Sequence, residues 1–242
     1  MDTKCVHKPQ VSCSDCRMNA LCLPLALEEK EIVKLDDIVQ RGRPLRKEEH
    51  IYYAGGEFGS VFAVRSGCVK SYTVSDNGQE LVTGFHLPGE IFGVDGIGSN
   101  KYTNSALALE TSTVCEIPFT RLEELSAQIP NLQRHIFKLM SQEIISDQKL
   151  IAQLSKNSAE ERVATLLLSI SNRHMRRKLS GTRFRLPMTR ADIGNYLGLT
   201  VETVSRVFSR FQKQELLTVD KREIEILNID ALRALANSDE SE

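Results

Sequence analysis

Three cysteines, Cys13, Cys16 and Cys22, fall within ten residues in the pattern Cys-x2-Cys-x5-Cys. Thiolates so spaced lie in a short segment that can wrap one metal centre. In a reducing compartment crowded thiols mean metal more often than disulfide. A fourth ligand must come from elsewhere, because zinc sites and cubane iron–sulfur clusters both take four. The spacing by itself favours zinc at least as much as iron–sulfur. Cys5, His7 and Cys68 are alternative fourth ligands; ordinary roles are inert packing for Cys68 and an untethered tail for Cys5 and His7.

The second constellation is Thr189-Arg-Ala-Asp-Ile-Gly-Asn-Tyr-Leu-Gly-Leu-Thr-Val-Glu-Thr-Val-Ser-Arg-Val-Phe208. Two steeply crossing helices need a tight turn and small residues where their backbones meet. Gly198 supplies the left-handed turn position and Gly194 the close approach. Ile193, Leu197, Leu199, Val204 and Val207 sit where the helices bury apolar side chains, and Thr200 is suited to cap the second helix. Glu202, Ser205, Arg206 and Ser209 then share one face. In a major groove Arg206 pairs with guanine, Glu202 accepts from cytosine, and Ser205 touches a neighbouring base edge. Thr189, Arg190, Thr200, Arg210 and Lys213 are placed for phosphates, which position without specifying. Leu217 to Leu227 alternates around a polar turn, as a wing hairpin does. An ordinary helical hairpin does not explain the polar, short-chained outer face at the start of the second helix.

These two constellations need elements to carry them. The 242 residues leave room for two modest domains, and a net charge of -1 hides a local basic excess between Arg173 and Lys213, opposed only by Asp192 and Glu202. The start of the chain lacks a secretory apolar core and no run suffices for a bilayer, so a cytoplasmic protein without membrane contact is expected.

An α+β chain is expected, with a cysteine-rich segment over residues 1–30 and an N-terminal β-roll (jelly-roll) sensor domain over 31–120. A long dimerisation helix follows over 121–157 and a C-terminal winged helix-turn-helix domain over 158–242. Leu25 to Val39 reads as a short amphipathic helix. Between Pro44 and Pro118, short apolar runs alternate with turn signals such as Ser66-Gly67 and Asp76-Asn77-Gly78. Phe137, Met140, Ile144, Asp147, Ile151 and Leu154 recur at coiled-coil steps, and Leu132, Ile136, Leu139 and Leu150 form an adjacent stripe. The helix is expected to pack on its own β-domain and on a second copy; one broad intramolecular face fits the periodicity equally. Ser158 with Glu161 reads as a capping box for a further helix, and Arg173 to Phe184 as a basic, exposed connection.

Over nearly its whole length the chain resembles the CRP/FNR superfamily of bacterial regulators, and within it the oxygen-sensing FNR regulators. The stretches that carry this are Asp192 to Arg206, Thr83-Gly-Phe-His86 and Glu110-Thr-Ser-Thr-Val-Cys-Glu-Ile-Pro118. The resemblance implies that Cys115 joins Cys13, Cys16 and Cys22 around a [4Fe-4S] cluster. It implies that Glu202, Ser205 and Arg206 read TTGAT-type half-sites in inverted-repeat double-stranded DNA. A homodimer forms when the cluster is intact, through Met140, Ile144, Asp147, Ile151 and Leu154, with Asp147 keeping it marginal. RNA polymerase is an implied partner, with Asp76 to Gly78 and the Thr111 region as candidate surfaces. One departure is Arg17 after Cys16, where relatives often carry a small polar residue; nearby charge shifts cluster chemistry.

A cyclic-nucleotide regulator of the same superfamily fits less well. Asn104 stands before Ser105-Ala106 where nucleotide-binding relatives have Arg, and Val94 follows Gly93 where they have the ribose-binding Glu. A β-roll metal enzyme is a more distant alternative. His50, His86, Glu90 and Asp95 show no tight ligand spacing, and no catalytic motif is present. Gly93-Val-Asp-Gly-Ile-Gly98 lacks the Lys of a phosphate loop. A non-enzymatic protein is expected.

Overall fold

The structure, a computed structural model, describes residues 11–236, so Cys5 and His7 lie outside the described residues. The cysteine segment runs through successive turns, with Asn19 N donating to Cys16 O at 3.0 Å and Cys22 N to Met18 O at 3.0 Å. A single turn of 3-10 helix over Leu23–Ala26, with Pro24 in its first turn, leads into α1 (Glu29–Ile38). The amphipathic helix expected from Leu25 thus starts later, where Glu28 and Glu31 close a capping box.

Eight strands follow: β1 (Gln40–Arg41), β2 (His50–Tyr52), β3 (Ser60–Ser66), β4 (Val69–Val74), β5 (Glu80–His86), β6 (Ile91–Phe92), β7 (Ser105–Ala108) and β8 (Thr113–Pro118). They form two antiparallel four-stranded sheets, ordered β1-β8-β3-β6 and β2-β7-β4-β5. This corrects the expected jelly-roll β-roll: among the described residues neither sheet closes or curls on itself, and no strand ladder joins the two. Alternation in the sequence says which face of a strand is buried, not which edges pair. Here three of the four edge strands, β1, β2 and β6, are two or three residues long, too short to carry a ladder around a corner, and the fourth is β5. Between β3 and β4 the chain leaves one sheet for the other at Gly67, whose φ is +82°. A side-chain carbon there would stand 2.2 Å from Ser112 Oγ, so glycine is required.

The helical stretch after β8 is two helices, α2 (Phe119–Gln128) and α3 (Pro130–Lys156). Pro130 causes the break: the residue before a proline avoids helical geometry, and Ile129 sits at φ -124°, ψ 92°. Leu132 of α3 is fully buried and, with Ile136 and Leu139, packs in a core with Leu35 of α1, Val61 of β3 and Ile117 of β8. One face of α3 is therefore fixed on the β-domain.

The remaining elements are α4 (Ala159–Arg176), β9 (Arg183–Arg185), α5 (Arg190–Leu197), α6 (Val201–Lys213), β10 (Leu217–Asp220), β11 (Glu223–Ile226) and α7 (Ile229–Ala236). The Ser158 and Glu161 capping box opens α4. A small sheet, β10-β11-β9, carries the wing. Val163, Leu167, Ile193, Val204, Phe208 and Phe211 fill this domain, and the same core continues into Phe85 and Leu87 of the β-domain. The Phe85 and Tyr196 rings meet at 5.1 Å between the two.

Candidate cysteine centre and nucleic-acid interface

Cys13, Cys16, Cys22 and Cys115 open onto one pocket whose remaining wall is largely apolar, including Leu23, Leu35 and Ile117. The first three arrive on the N-terminal turns. Cys115 comes from β8, paired with Arg41 of β1 on one side and Ala63 of β3 on the other. All four cysteines are lining residues of this one pocket. Among the described residues, no three Cys, His, Asp or Glu side chains approach closely enough to hold a single ion. Burial, reinforced by the hydrogen bond with Asp36, pushes the Cys13 thiol up to about 12. Burial likewise takes Cys22 to about 12, and raises Cys115. Without a metal these groups are protonated at neutral pH, so a cation entering the pocket must displace protons.

Two residues that spacing did not single out organise this site. Arg41 Nη2 donates to Cys13 Sγ at 3.2 Å and also pairs with Asp36. Asp36 Oδ1 accepts from Cys13 N at 2.7 Å. Arg41 thus pairs with Cys115 through its strand and with Cys13 through its side chain. Cys68, by contrast, is fully buried beside the other sheet and does not line the pocket.

In the C-terminal domain α5 ends at Gly198 in the left-handed region, φ 62° and ψ 38°. At Gly194 a side-chain carbon would stand 2.6 Å from Leu199 O, so the helices cross at van der Waals contact. Thr200 caps α6, accepting from Thr203 N at 3.2 Å. Val204, Val207, Phe208 and Phe211 turn inward, while Glu202, Ser205, Arg206 and Ser209 are exposed on the opposite face. Arg206 Nη2 donates to Thr203 Oγ1 at 3.1 Å. The Glu202 carboxylate is held below its usual range by its own backbone amide and the Thr200 hydroxyl.

The flanking residues are less uniform. Thr189 Oγ1 is engaged with Asp192, donating to Oδ2 at 2.6 Å and accepting from the amide at 3.1 Å. The Arg190 guanidinium lies 3.4 Å from the centre of the Phe208 ring, and burial lowers it to about 10. Arg210 is paired with Glu160, while Lys213 lies exposed at the end of α6. The basic connection is also less free than its composition suggests: Arg173 and Arg177 pair with Glu90, Arg183 with Glu225, and Arg185 with Glu110.

On α3, Phe137, Ile144 and Ile151 are 62%, 57% and 63% exposed at heptad spacing. Asp147 lies between the last two, with Met140 and Leu154 half-buried. Met140, Glu143, Ile144 and Asp147 also border a cavity of about 250 Å³ against Gly84, His86, Val94, Asp95 and Asn104. Burial raises Glu143, with help from the Asp147 charge, and burial raises Asp147. None of the cavity's lining residues is Arg or Lys, and the carboxylates there oppose a phosphodiester. Asn104 Oδ1 instead accepts from the Tyr52 hydroxyl at 3.3 Å.

Family models match residues 161–235 as a Crp-like helix-turn-helix domain and residues 42–129 as a cyclic nucleotide-binding domain. The chain is 52% identical over 228 residues to the transcriptional activator protein anr of Pseudomonas aeruginosa, covering 94% of this chain and 93% of that one. It is 50% identical over 226 residues to the fumarate and nitrate reduction regulatory protein of Escherichia coli K12, covering 93% and 90%. This chain belongs to the FNR-type regulators of the CRP/FNR superfamily. Among solved structures, FixK2 from Bradyrhizobium japonicum aligns with a TM-score of 0.75 and 31% identity, over 82% of the FNR-type chain and 97% of FixK2. Like its relatives, this FNR-type chain is a DNA-binding transcription regulator and not an enzyme. Among the described residues, no helix is long and apolar enough to cross a membrane.

Proposed function

We propose that Cys13, Cys16, Cys22 and Cys115 hold an oxygen-labile [4Fe-4S] cluster that controls dimerisation and DNA binding at genes for anaerobic or low-oxygen metabolism. The observation that carries this is the single pocket onto which all four sulfurs open, in a chain half identical to fumarate and nitrate reduction regulators. A zinc ion keeps its sulfurs at about 2.3 Å from one point. The identity to fumarate and nitrate reduction regulators supports a [4Fe-4S] core over a single zinc ion. When bound, the cluster supplies an oxygen-sensitive cross-link between residues 1–30 and β8. Arg41, bonded to Cys13 Sγ, offsets thiolate charge there.

The β-domain over 31–120 serves as the scaffold, and 121–157 forms the dimer contact through Met140, Ile144, Asp147, Ile151 and Leu154. Cluster loss releases the N-terminal segment and returns the protein to monomers. In the dimer the two α6 helices enter successive major grooves of a TTGAT-type inverted repeat. Glu202, Ser205 and Arg206 read base edges, and Thr189, Arg190, Thr200, Arg210 and Lys213 lie against the backbone. For Arg210 this means exchanging Glu160 for a phosphate. Residues 158–242 thus bind double-stranded DNA, and RNA polymerase is the partner that converts occupancy into transcription.

The test is purification under nitrogen, with a visible spectrum and iron and acid-labile sulfide analysis, on wild type and Cys115→Ser. Brown protein with matched iron and sulfide, bleaching in air and lost in Cys115→Ser, is expected. Colourless protein containing zinc, or a full cluster in Cys115→Ser, overturns the ligand set.

A further inference from the structure

Between β5 and β6 the chain makes a tight turn over residues 87–90. Glu90 N donates to Leu87 O at 3.0 Å, and Leu87 N donates to Glu90 Oε2 at 2.9 Å. Gly89, at φ +88°, donates to Val64 O at 2.7 Å. The cysteine segment presses on one side of this turn. A side-chain carbon on Gly89 would lie 3.0 Å from Leu21 Cβ and 3.6 Å from Met18 Cβ, so the cysteine loop lies in close contact with the turn, and the positive φ there favours glycine. Met18 and Leu21 are in the loop between Cys16 and Cys22.

The other side of the turn grips the end of α4. Glu90 Oε1 accepts from Arg173 Nε at 2.8 Å and Arg177 Nη2 at 2.6 Å. Backbone joins in: Pro88 O of the turn accepts from Arg177 Nε at 2.7 Å, and Phe85 O of β5 accepts from Arg173 Nη2 at 2.5 Å. Burial pushes the Glu90 carboxyl up, but the two guanidinium groups outweigh it and hold it at about 2. Four residues therefore touch the cysteine loop through a bare backbone and the DNA-binding domain through a charged, half-buried fork.

We propose that Glu90 is a positioning residue that passes the state of the cysteine segment to the winged helix-turn-helix within one chain. This rests on reading the four cysteines as cluster ligands, but it is separate from the dimer contact on α3. While ligation holds the cysteine loop down, Met18 and Leu21 seat Gly89, and the turn aims the Glu90 carboxylate between Arg173 and Arg177. Release of the loop unloads the turn, and the end of α4 loses its anchor.

The experiment is hydrogen exchange on full-length protein kept anaerobic, before and after iron is removed by a chelator. It is run at a concentration where light scattering gives one mass for both forms, with iron and sulfide measured on each sample. In wild type, stripping is expected to speed exchange at residues 173–177 by roughly tenfold, alongside residues 16–22. Glu90→Gln keeps the bound iron and the response at 16–22 but gives equal, fast exchange at 173–177 in both forms. Glu90→Asp, which retains the charge, restores a difference. If residues 16–22 respond to stripping in wild type and 173–177 do not, the relay is overturned while the cluster reading stands. If the protein takes up no iron and sulfide, the reading beneath falls and the relay with it.

Discussion

Lys70 Nζ lies 2.9 Å from Asp192 Oδ1, an ion pair closed between β4 and the first helix of the helix-turn-helix by residues 122 positions apart. Lys70 also meets Glu80 Oε1 at 2.5 Å, and its side chain is only 7% exposed. Asp192 works in two directions, because its other oxygen accepts from Thr189 N at 2.8 Å and caps α5. Burial raises the Asp192 carboxyl, and the Thr189 and Lys70 bonds more than reverse this. Lys70→Met leaves a buried carboxylate without its cation, so a loss of about 3 kcal/mol is expected in urea unfolding. Adding Asp192→Asn to Lys70→Met is expected to return part of that loss, since the stranded charge is gone. Strictly additive losses in the double variant would mean the pair contributes nothing as a pair.

The His86 ring is buried against Phe92, with Nε2 2.6 Å from Ser71 Oγ. Burial penalises the imidazolium and lowers the group to about 4, with Glu90 partly opposing and Arg173 assisting. A histidine lowered on folding stabilises the neutral form. Its contribution is complete above pH 6.5 and drains away as pH falls from 6.5 towards 4, by about 3 kcal/mol in all. Glu143 and Asp147, raised by burial, act in the opposite sense and only where carboxyls protonate. Glu90 enters lower still, losing its contribution between about 4.5 and 2. Urea midpoints of wild type and His86→Gln from pH 7 to pH 4.5 should therefore diverge at pH 7 and converge towards the acid end. Parallel curves would show that His86 is not held neutral.

The helix-turn-helix was legible because local chemistry and tertiary contact coincide there: Gly198, Gly194 and Thr200 each have one purpose, set by neighbours a few residues away. The exposed heptad on α3 was readable for the same reason. What the chain pattern could not supply were relations between distant segments. Arg173 and Arg177 look like any solvated basic run until Glu90, over eighty residues away, is brought against them. Asp36 and Arg41 carry no motif, and gain a role only when β1 lies beside β8. The closed roll failed for a related reason, since turn signals locate strand ends but not the partners of edge strands. The split at Pro130 was visible in the sequence but masked by continuous apolar periodicity on both sides.

On α6 the division of labour between base and phosphate contacts predicts two different phenotypes. Arg206→Ala is expected to weaken binding to an inverted-repeat site by about 1–3 kcal/mol and to relax preference at one base pair in each half-site. Lys213→Ala is expected to weaken all sites alike and to reduce the slope of log affinity against log salt by about one. Fluorescence anisotropy over a salt series, with single-base variants of the site, separates these. A loss in Arg206→Ala that is the same for every sequence would assign that residue to the backbone.

The dimer prediction turns on Asp147. Phe137, Ile144 and Ile151 form an apolar row on α3 that nothing in the described residues covers, and Asp147 interrupts it one turn beyond Glu143. If two copies of α3 meet along this row, each Asp147 faces its equivalent as water leaves, and like charges in low dielectric repel. Partial desolvation beside the cavity already raises this carboxyl in the single chain, although its side chain is still exposed there. Asp147→Ala removes the repulsion and leaves the apolar contacts. Sedimentation in air should then show a dimer where wild type is monomeric, and DNA binding should follow without iron. Acidification should favour the wild-type dimer in the same direction, because a raised carboxyl protonates early, and should move Asp147→Ala less, where Glu143 alone remains to protonate. An aerobic Asp147→Ala protein that stays monomeric would place the repulsion elsewhere, with Glu143 as the next carboxylate to remove.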